Sequence, residues 1–451
     1  MKRVIVVGGG ISGLATAYHL KKLRADLVIT LFEERERPGG VIATLRRDGF
    51  LVEGGPDSFI IQKPWALELC RELGIEERLY PTEAANRTGY VLHRGRLLPL
   101  PAGMALGAPA DLGALVTTRL LSWKGKLRAG LDLILPRGEE RGDESLGGFL
   151  RRRLGNELVE RIADPLLGGI HAAPADRLSL QATFPRLKEI ERQHRSLILG
   201  MRRAAGPAGQ SPFRTLPGGM GELVESLRAA LAGVEIRTEA RVEEIVPGKG
   251  ILTKHDGMAA QAVVAAMPPP AAAGLFARSS PALSQALRSI PAVSTATVSL
   301  AYHRPHPTVS LAATGFLIPR AEKRRILACT WSSRKFAGRA PDGDLLVRAY
   351  LGGEAGEELL KGTDELLSGI ACEELAAIMG IREAPAFAVV HRWPKANPIL
   401  EVGHAAKLAR IEKLLEECPG IFLTGTGYRG VGIPDCIRDA RDTARQIAAA
   451  L

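Results

Sequence analysis

Aromatic side chains are scarce, at 5% of the 451 residues. With so few stacking groups and no binding motif, a nucleic-acid partner is not expected. Cysteine is scarcer still. Cys70, Cys329, Cys372, Cys418 and Cys436 are odd in number and far apart, and no C-x-x-C pair occurs. That argues against a zinc site and predicts reduced thiols in a cytoplasmic protein. The nine histidines lack HxxxH spacing, so no metal is expected. Long apolar runs are missing, and none reaches membrane-spanning length. Met1-Lys2-Arg3 leads straight into Val4–Val7 and then glycines, unlike a signal peptide. A cytoplasmic protein with at most peripheral membrane contact is expected. Acidic residues are outnumbered, 49 against 60 Lys and Arg, for a net charge of +11. An anionic partner and a merely arginine-rich composition both account for this.

What is present begins at the amino terminus. Residues 3–7 are apolar and β-branched and predict a buried parallel strand. Gly8-Gly9-Gly10-Ile11-Ser12-Gly13 makes a turn, and Leu14 to Leu23 reads as a helix. A second strand over 27–32 ends at Glu33. In such a unit the first glycine permits the turn, the second lets the backbone approach a pyrophosphate, and the third lets helix and strand pack closely. The helix start offers free N–H groups and a positive dipole end. Glu33 stands where a ribose-binding acid belongs, about 20 residues further on. Arg37-x-Gly39-Gly40 follows, and no second G-x-G-x-x-G has the same context. This favours FAD over a nicotinamide cofactor, with oxygen or a small diffusible acceptor taking the electrons.

Further along, residues 41–53 predict a hairpin turning at Asp48-Gly49, and 64–73 a helix. Residues 99–201 read as mainly helical, with breaks near 136–144 and 172–176. Within them 106–135 is apolar enough to be core, a membrane contact or the lining of a substrate entry. Residues 206–212 read as a linker and 221–231 as a helix, with strands at 234–238 and 262–266. Strands over 293–302, 314–318, 326–331 and 345–351 suggest a second sheet, and 359–379 one or two helices. The tail reads as a strand at 421–423, a glycine-rich turn at 425–432 and a helix at 435–449. A helix start aimed at a flavin stabilises negative charge on the reduced ring.

The chain resembles the protoporphyrinogen/coproporphyrinogen oxidase family, nearest to its soluble Gram-positive branch. The likeness is carried by Val6–Leu14, Gly55-Pro56-Asp57-Ser58-Phe59, Pro165–Ile170, Leu178–Pro185, His194–Met201 and Gly430–Ile437. The resemblance implies an α/β fold with a Rossmann-like FAD domain of the monoamine oxidase type (1–75, 205–275, 385–451). It also implies a mixed-sheet substrate domain (76–98, 276–384) and a helical domain (99–204). FAD contacts are implied at Glu33, Glu34, Gly55, Pro56, Asp57, Ser58, Val242, Trp393, Val431, Gly432 and Ile433, alongside Gly8–Gly13, Arg37, Gly39 and Gly40. Relatives often carry Arg where Gly54 stands here.

The implied reaction is the six-electron oxidation of a porphyrinogen by oxygen within heme biosynthesis, with transient contact to other enzymes of that pathway. The macrocycle carries propionates, so cations are sought. Lys63 is a propionate contact or a solvated lysine. Tyr350 ends a strand and either faces the macrocycle or is core, and strand alternation puts Arg348 on the same side, as a substrate contact. Trp393 covers the cofactor or packs in the core. The segment from Arg186 to Arg203, with Lys188, Arg192, Arg195 and Arg202, draws in a polyanion or is a solvated helix face. Cys436 is a buried thiol rather than a flavin attachment point. Protoporphyrinogen as substrate, an amine oxidase on the same fold and a non-catalytic flavin protein are the alternatives.

Overall fold

The computed structural model describes residues 2–86, 88–139, 142–204 and 211–451. Its first sheet has five parallel strands in the order Glu235–Arg237, Val28–Phe32, Arg3–Val7, Ala262–Ala266, Ile421–Thr424. The β-branched run at the start forms the central strand because both its faces are covered. Val4 and Val6 enter one core with the helices Ile11–Leu23 and Ile433–Ala450, while Ile5 and Val7 enter another with Pro281–Arg288. These two helices of the first core pack against each other.

A second sheet has seven strands. In order they are Phe387–Pro398, Ala292–Tyr302, Leu345–Gly352, Ala328–Thr330, Gly315–Leu317, Tyr90–His93 and Arg96–Pro99. All neighbours are antiparallel except Gly315–Leu317 with Tyr90–His93. The helix Asp364–Met379 covers one face of this sheet.

Two expected boundaries move. Phe387–Pro398 pairs along Ala292–Tyr302, so the seven-stranded sheet runs on past residue 384. Pro394 and Pro398 obscure this strand in the sequence, but it lies at the sheet edge, where proline is tolerated. The helix Pro281–Arg288 packs on the five-stranded sheet, so that unit runs beyond residue 275.

Between 99 and 204 the chain is less helical than expected. It opens with a short hairpin, Met104–Ala105 with Ala108–Pro109. A π-helix occupies Val159–Gly168, with Pro165 inside it. Proline lacks the N–H that a regular α-helix needs, and a wider turn accommodates the loss. Residues 205–210 of the expected linker lie outside the described residues. No described helix is long and apolar enough to cross a membrane.

Candidate flavin and substrate site

The opening turn is built by exclusion. A Cβ on Gly13 would stand 1.9 Å from the Gly8 carbonyl oxygen, and one on Gly8 would stand 2.6 Å from that of Ala266. Gly8 also has φ +105°. These two glycines are required by the protein's own packing. Gly10 differs: its added Cβ would meet nothing closer than 3.9 Å. Its missing side chain leaves a clear face on the turn, as close approach by a ligand requires. The helix Ile11–Leu23 starts there with no side-chain cap, so its first N–H groups are available.

Glu33 closes this end. It is buried, and its Oε2 accepts from the Gly9 amide at 2.7 Å and its Oε1 from the Arg35 amide at 3.0 Å. Its carbonyl accepts from Ala240, which brings the strand starting at buried Val242 alongside. Gly39 donates to the Gly9 carbonyl, and Gly40 lies against Gly10. Glu34 and Arg37 are exposed. The turn, the fixed carboxylate and the open face fit a dinucleotide.

The Gly55–Ser58 loop is tied to the second sheet by Arg348, which reaches Gly55 and Asp57. Gly55 packs on Val41, where a Cβ would come 1.9 Å from the carbonyl oxygen. Asp57 is buried. Its Oδ1 accepts from Lys335 Nζ and from the Ser58 hydroxyl, each at 2.8 Å, and its Oδ2 accepts from Arg348 Nη2 at 2.9 Å. Burial opposes its charge, but Lys335 and Arg348 outweigh burial and hold the carboxyl well below the usual range. Thr297 Oγ1 and Trp393 Nε1 both donate to the Gly54 carbonyl, at 2.7 and 2.9 Å. A Cβ on Gly54 would strike the His391 ring at 2.6 Å. The His391 ring stacks on Trp393 and fills the space a larger residue at 54 would need. Arg35 lies over Trp393 from the dinucleotide side.

Arg348 departs from expectation. Strand alternation does put it on the same face as Tyr350, but that face packs under the 53–57 loop. Arg348 is 3% exposed and donates to the Glu53 and Gly55 carbonyls, to Asp57 and to the Tyr350 hydroxyl. It is spent inside the protein and positions its neighbours. Tyr350 is half-buried, its hydroxyl shared with Thr330.

Lys63 is half-exposed and pairs with Asp435, in the first turn of the carboxy-terminal helix, at 2.6 Å. The turn before that helix places Val431 and Gly432 partly open and Ile433 buried. Asp439 fixes this turn by accepting from Thr424, Gly425 and Arg429. Cys436 is buried, which pushes its thiol up to about 12.

His171, Lys335, His391 and Thr297 carry no local motif, and sequence reasoning missed them. His171 is buried, and burial together with the Lys63 charge pushes it down to about 4. Among the described residues no group of three metal-ligating side chains occurs.

The model of the family described as flavin containing amine oxidoreductase matches residues 11–448. Relatives named coproporphyrinogen III oxidase include one from Bacillus subtilis (strain 168), 37% identical over 97% of this chain and 96% of its own. Another, from Propionibacterium freudenreichii, is 38% identical over 98% and 90%. A solved structure from Exiguobacterium sp. 255-15, whose protein carries a provisional protoporphyrinogen oxidase name, is 35% identical with a TM-score of 0.90. It covers 100% of this chain and 99% of that one.

Proposed function

The chain belongs to the flavin containing amine oxidoreductase family, and from that premise we propose that it is an FAD-dependent coproporphyrinogen III oxidase. In the proposed reaction one porphyrinogen loses six hydrogens to give coproporphyrin III, and three oxygen molecules become three hydrogen peroxide. The reading places it in the cytoplasm, in heme biosynthesis, in transient contact with neighbouring enzymes. The observation that carries it is similarity, at more than a third identity over nearly the whole chain, to relatives of that name.

The geometry supports the reading. Gly8–Gly13 and Glu33 would hold the diphosphate and ribose, with Glu34, Arg37, Gly39, Gly40 and the backbone near Val242 around them. Gly55–Ser58, Trp393 and Val431–Ile433 would flank the ring. Bound there, the flavin supplies the acceptor for a hydride from carbon. The protein's part is to fix the ring's surroundings and exclude water. Arg348 and Lys335 lock Asp57 and so the loop. Lys63 and Tyr350 are the proposed substrate contacts, Lys63 meeting a propionate while tied to Asp435.

The test compares oxygen uptake and porphyrin fluorescence with coproporphyrinogen III and protoporphyrinogen IX. Faster formation of coproporphyrin is expected. A preference for protoporphyrinogen would select the reading that the provisionally named structure favours. Turnover of an amine, with none of either porphyrinogen, would overturn both.

A further inference from the structure

His171 is a buried polar side chain that the fold leaves unused. It ends the short helix Gly169–His171 and is 4% exposed. Its Nδ1 is enclosed without a partner, and no hydrogen bond holds its Nε2 among the described residues. Its ring meets Phe184 edge-on, with 5.8 Å between centroids, a contact that a phenylalanine would make as well. Packing alone does not call for an imidazole here, and an unpaired buried nitrogen costs stability.

The backbone around His171 is constrained. Ala172 follows it with φ +51°, a left-handed conformation that only glycine enters freely. Strain of this kind collects at ligand sites. The turn rests on the second sheet: a Cβ added to Gly353 would stand 3.0 Å from the Ala172 carbonyl oxygen and 3.5 Å from Leu327. Leu327 in turn donates to the Tyr350 carbonyl, so the turn abuts the strand that carries Tyr350. Lys63, from the first unit, is the one charge that acts on the His171 ring. The acids flanking His171 in sequence, Asp164 and Asp176, are taken up by Arg320 and Arg151. Beside it Ile170 is 58% exposed. His171 thus stands where all three parts of the chain converge, next to both proposed substrate contacts.

We infer that the substrate supplies the missing partner: the His171 imidazole accepts a hydrogen bond from a pyrrole N–H of the bound porphyrinogen. This rests on the reading above and adds a residue to it. A porphyrinogen presents N–H donors at its centre and carboxylates at its rim. Lys63 suits the rim. His171 suits the centre, because its neighbours Phe184 and Ile170 are apolar and because burial and the Lys63 charge keep its ring neutral, with one nitrogen free to accept. As hydride leaves the adjoining carbon, the pyrrole gains positive charge and its N–H becomes a stronger donor. The bond therefore tightens toward the transition state and acts on kcat, not on KM alone.

The test is steady-state turnover of the full-length, flavin-loaded protein with coproporphyrinogen III and protoporphyrinogen IX, which share their pyrrole N–H groups and differ in their propionates. His171→Phe keeps the contact with Phe184, so near neutral pH it should melt no lower than wild type and bind FAD as tightly. Its kcat should fall by about tenfold with both substrates alike. His171→Gln retains an amide acceptor and should restore most of that loss. A second readout needs no turnover. With nitrogen-labelled histidine, the resonance that His171→Phe removes should shift when coproporphyrin III, which keeps pyrrole N–H groups, is added. An unchanged kcat in His171→Phe, or an unmoved resonance, would overturn the inference. So would a loss confined to coproporphyrinogen, which would assign His171 to a propionate. Failure of the wild type to oxidise either porphyrinogen would remove the reading beneath the inference, and the inference with it.

Discussion

The two ends of the site are held in opposite ways. At the dinucleotide end, Glu33 meets an amide only 24 residues away in sequence, and the turn is shaped by backbone that tolerates no added atom. At the end facing the second sheet, Asp57 meets Lys335 and Arg348 at separations of 278 and 291 residues. The first end is a local fold of one βαβ unit. The second exists only once the sheets have docked, and it depends on charges that must be present together. The first should therefore fail when an atom is added, and the second when a charge is removed.

The largest effect expected on this basis comes from Gly13→Val. Its Cβ would stand 1.9 Å from a carbonyl oxygen, and overpacking against backbone costs about 3 kcal/mol or more. Little folded protein should be recovered. Gly10→Ala is the control. With its nearest neighbour at 3.9 Å, it should leave the apoprotein's stability within about 0.5 kcal/mol. Its flavin affinity should still fall by about tenfold, or about 1.4 kcal/mol, because the clear face is filled. Melting curves of apoprotein and fluorescence titration with FAD separate the two. Equal destabilisation by both variants would mean that Gly10 too is there for packing.

Asp57→Asn comes next. It leaves the buried Arg348 guanidinium without its carboxylate, at a cost of about 3–5 kcal/mol. The pH dependence follows from the sign of the shift. The folded carboxyl lies below its usual range, so its contribution is full above the unfolded value near about 3.9 and is lost as pH falls below it. Wild type should lose stability in acid more steeply than Asp57→Asn. Parallel curves would place Asp57 outside the network that holds the loop.

This contrast also explains what the sequence could reveal. The glycine turn, Glu33 and the Asp48-Gly49 hairpin were legible because each is decided by residues near in the chain. Both hairpin residues adopt positive φ, as the turn signal requires. Strand alternation shows that Arg348 shares a face with Tyr350 but not that it is buried, because what covers that face comes from residues 53–57. Lys335 and His391 have no neighbours that announce them. The π-helix at Val159–Gly168 is legible only as part of a helical region, since Pro165 signals a disruption without saying which kind.

His171 offers a smaller effect at the long-range end. Its Nδ1 has no partner among the described residues. Its pKa falls from 6.5 to about 4, so the unfolded chain binds a proton that the folded one refuses. Stability should be full above 6.5 and decline as pH drops towards 4, by roughly 3 kcal/mol in all. His171→Phe should flatten that part of the curve. An unchanged slope would assign the loss to other groups.

The smallest effect tests the seam between the two ends. Trp393 and Thr297 both donate to the Gly54 carbonyl, so removing one donor still leaves the acceptor satisfied. Trp393→Phe keeps an aromatic ring beside His391 and loses the Nε1 hydrogen bond, worth about 1 kcal/mol, together with part of the ring under Arg35. A double-mutant cycle with Thr297→Val checks the shared role. Removing both donors strands a buried carbonyl and should cost more than the two single losses added together, by about 1 kcal/mol. If the losses simply add, the Gly54 carbonyl finds another partner, and the second sheet does not hold the loop at this point.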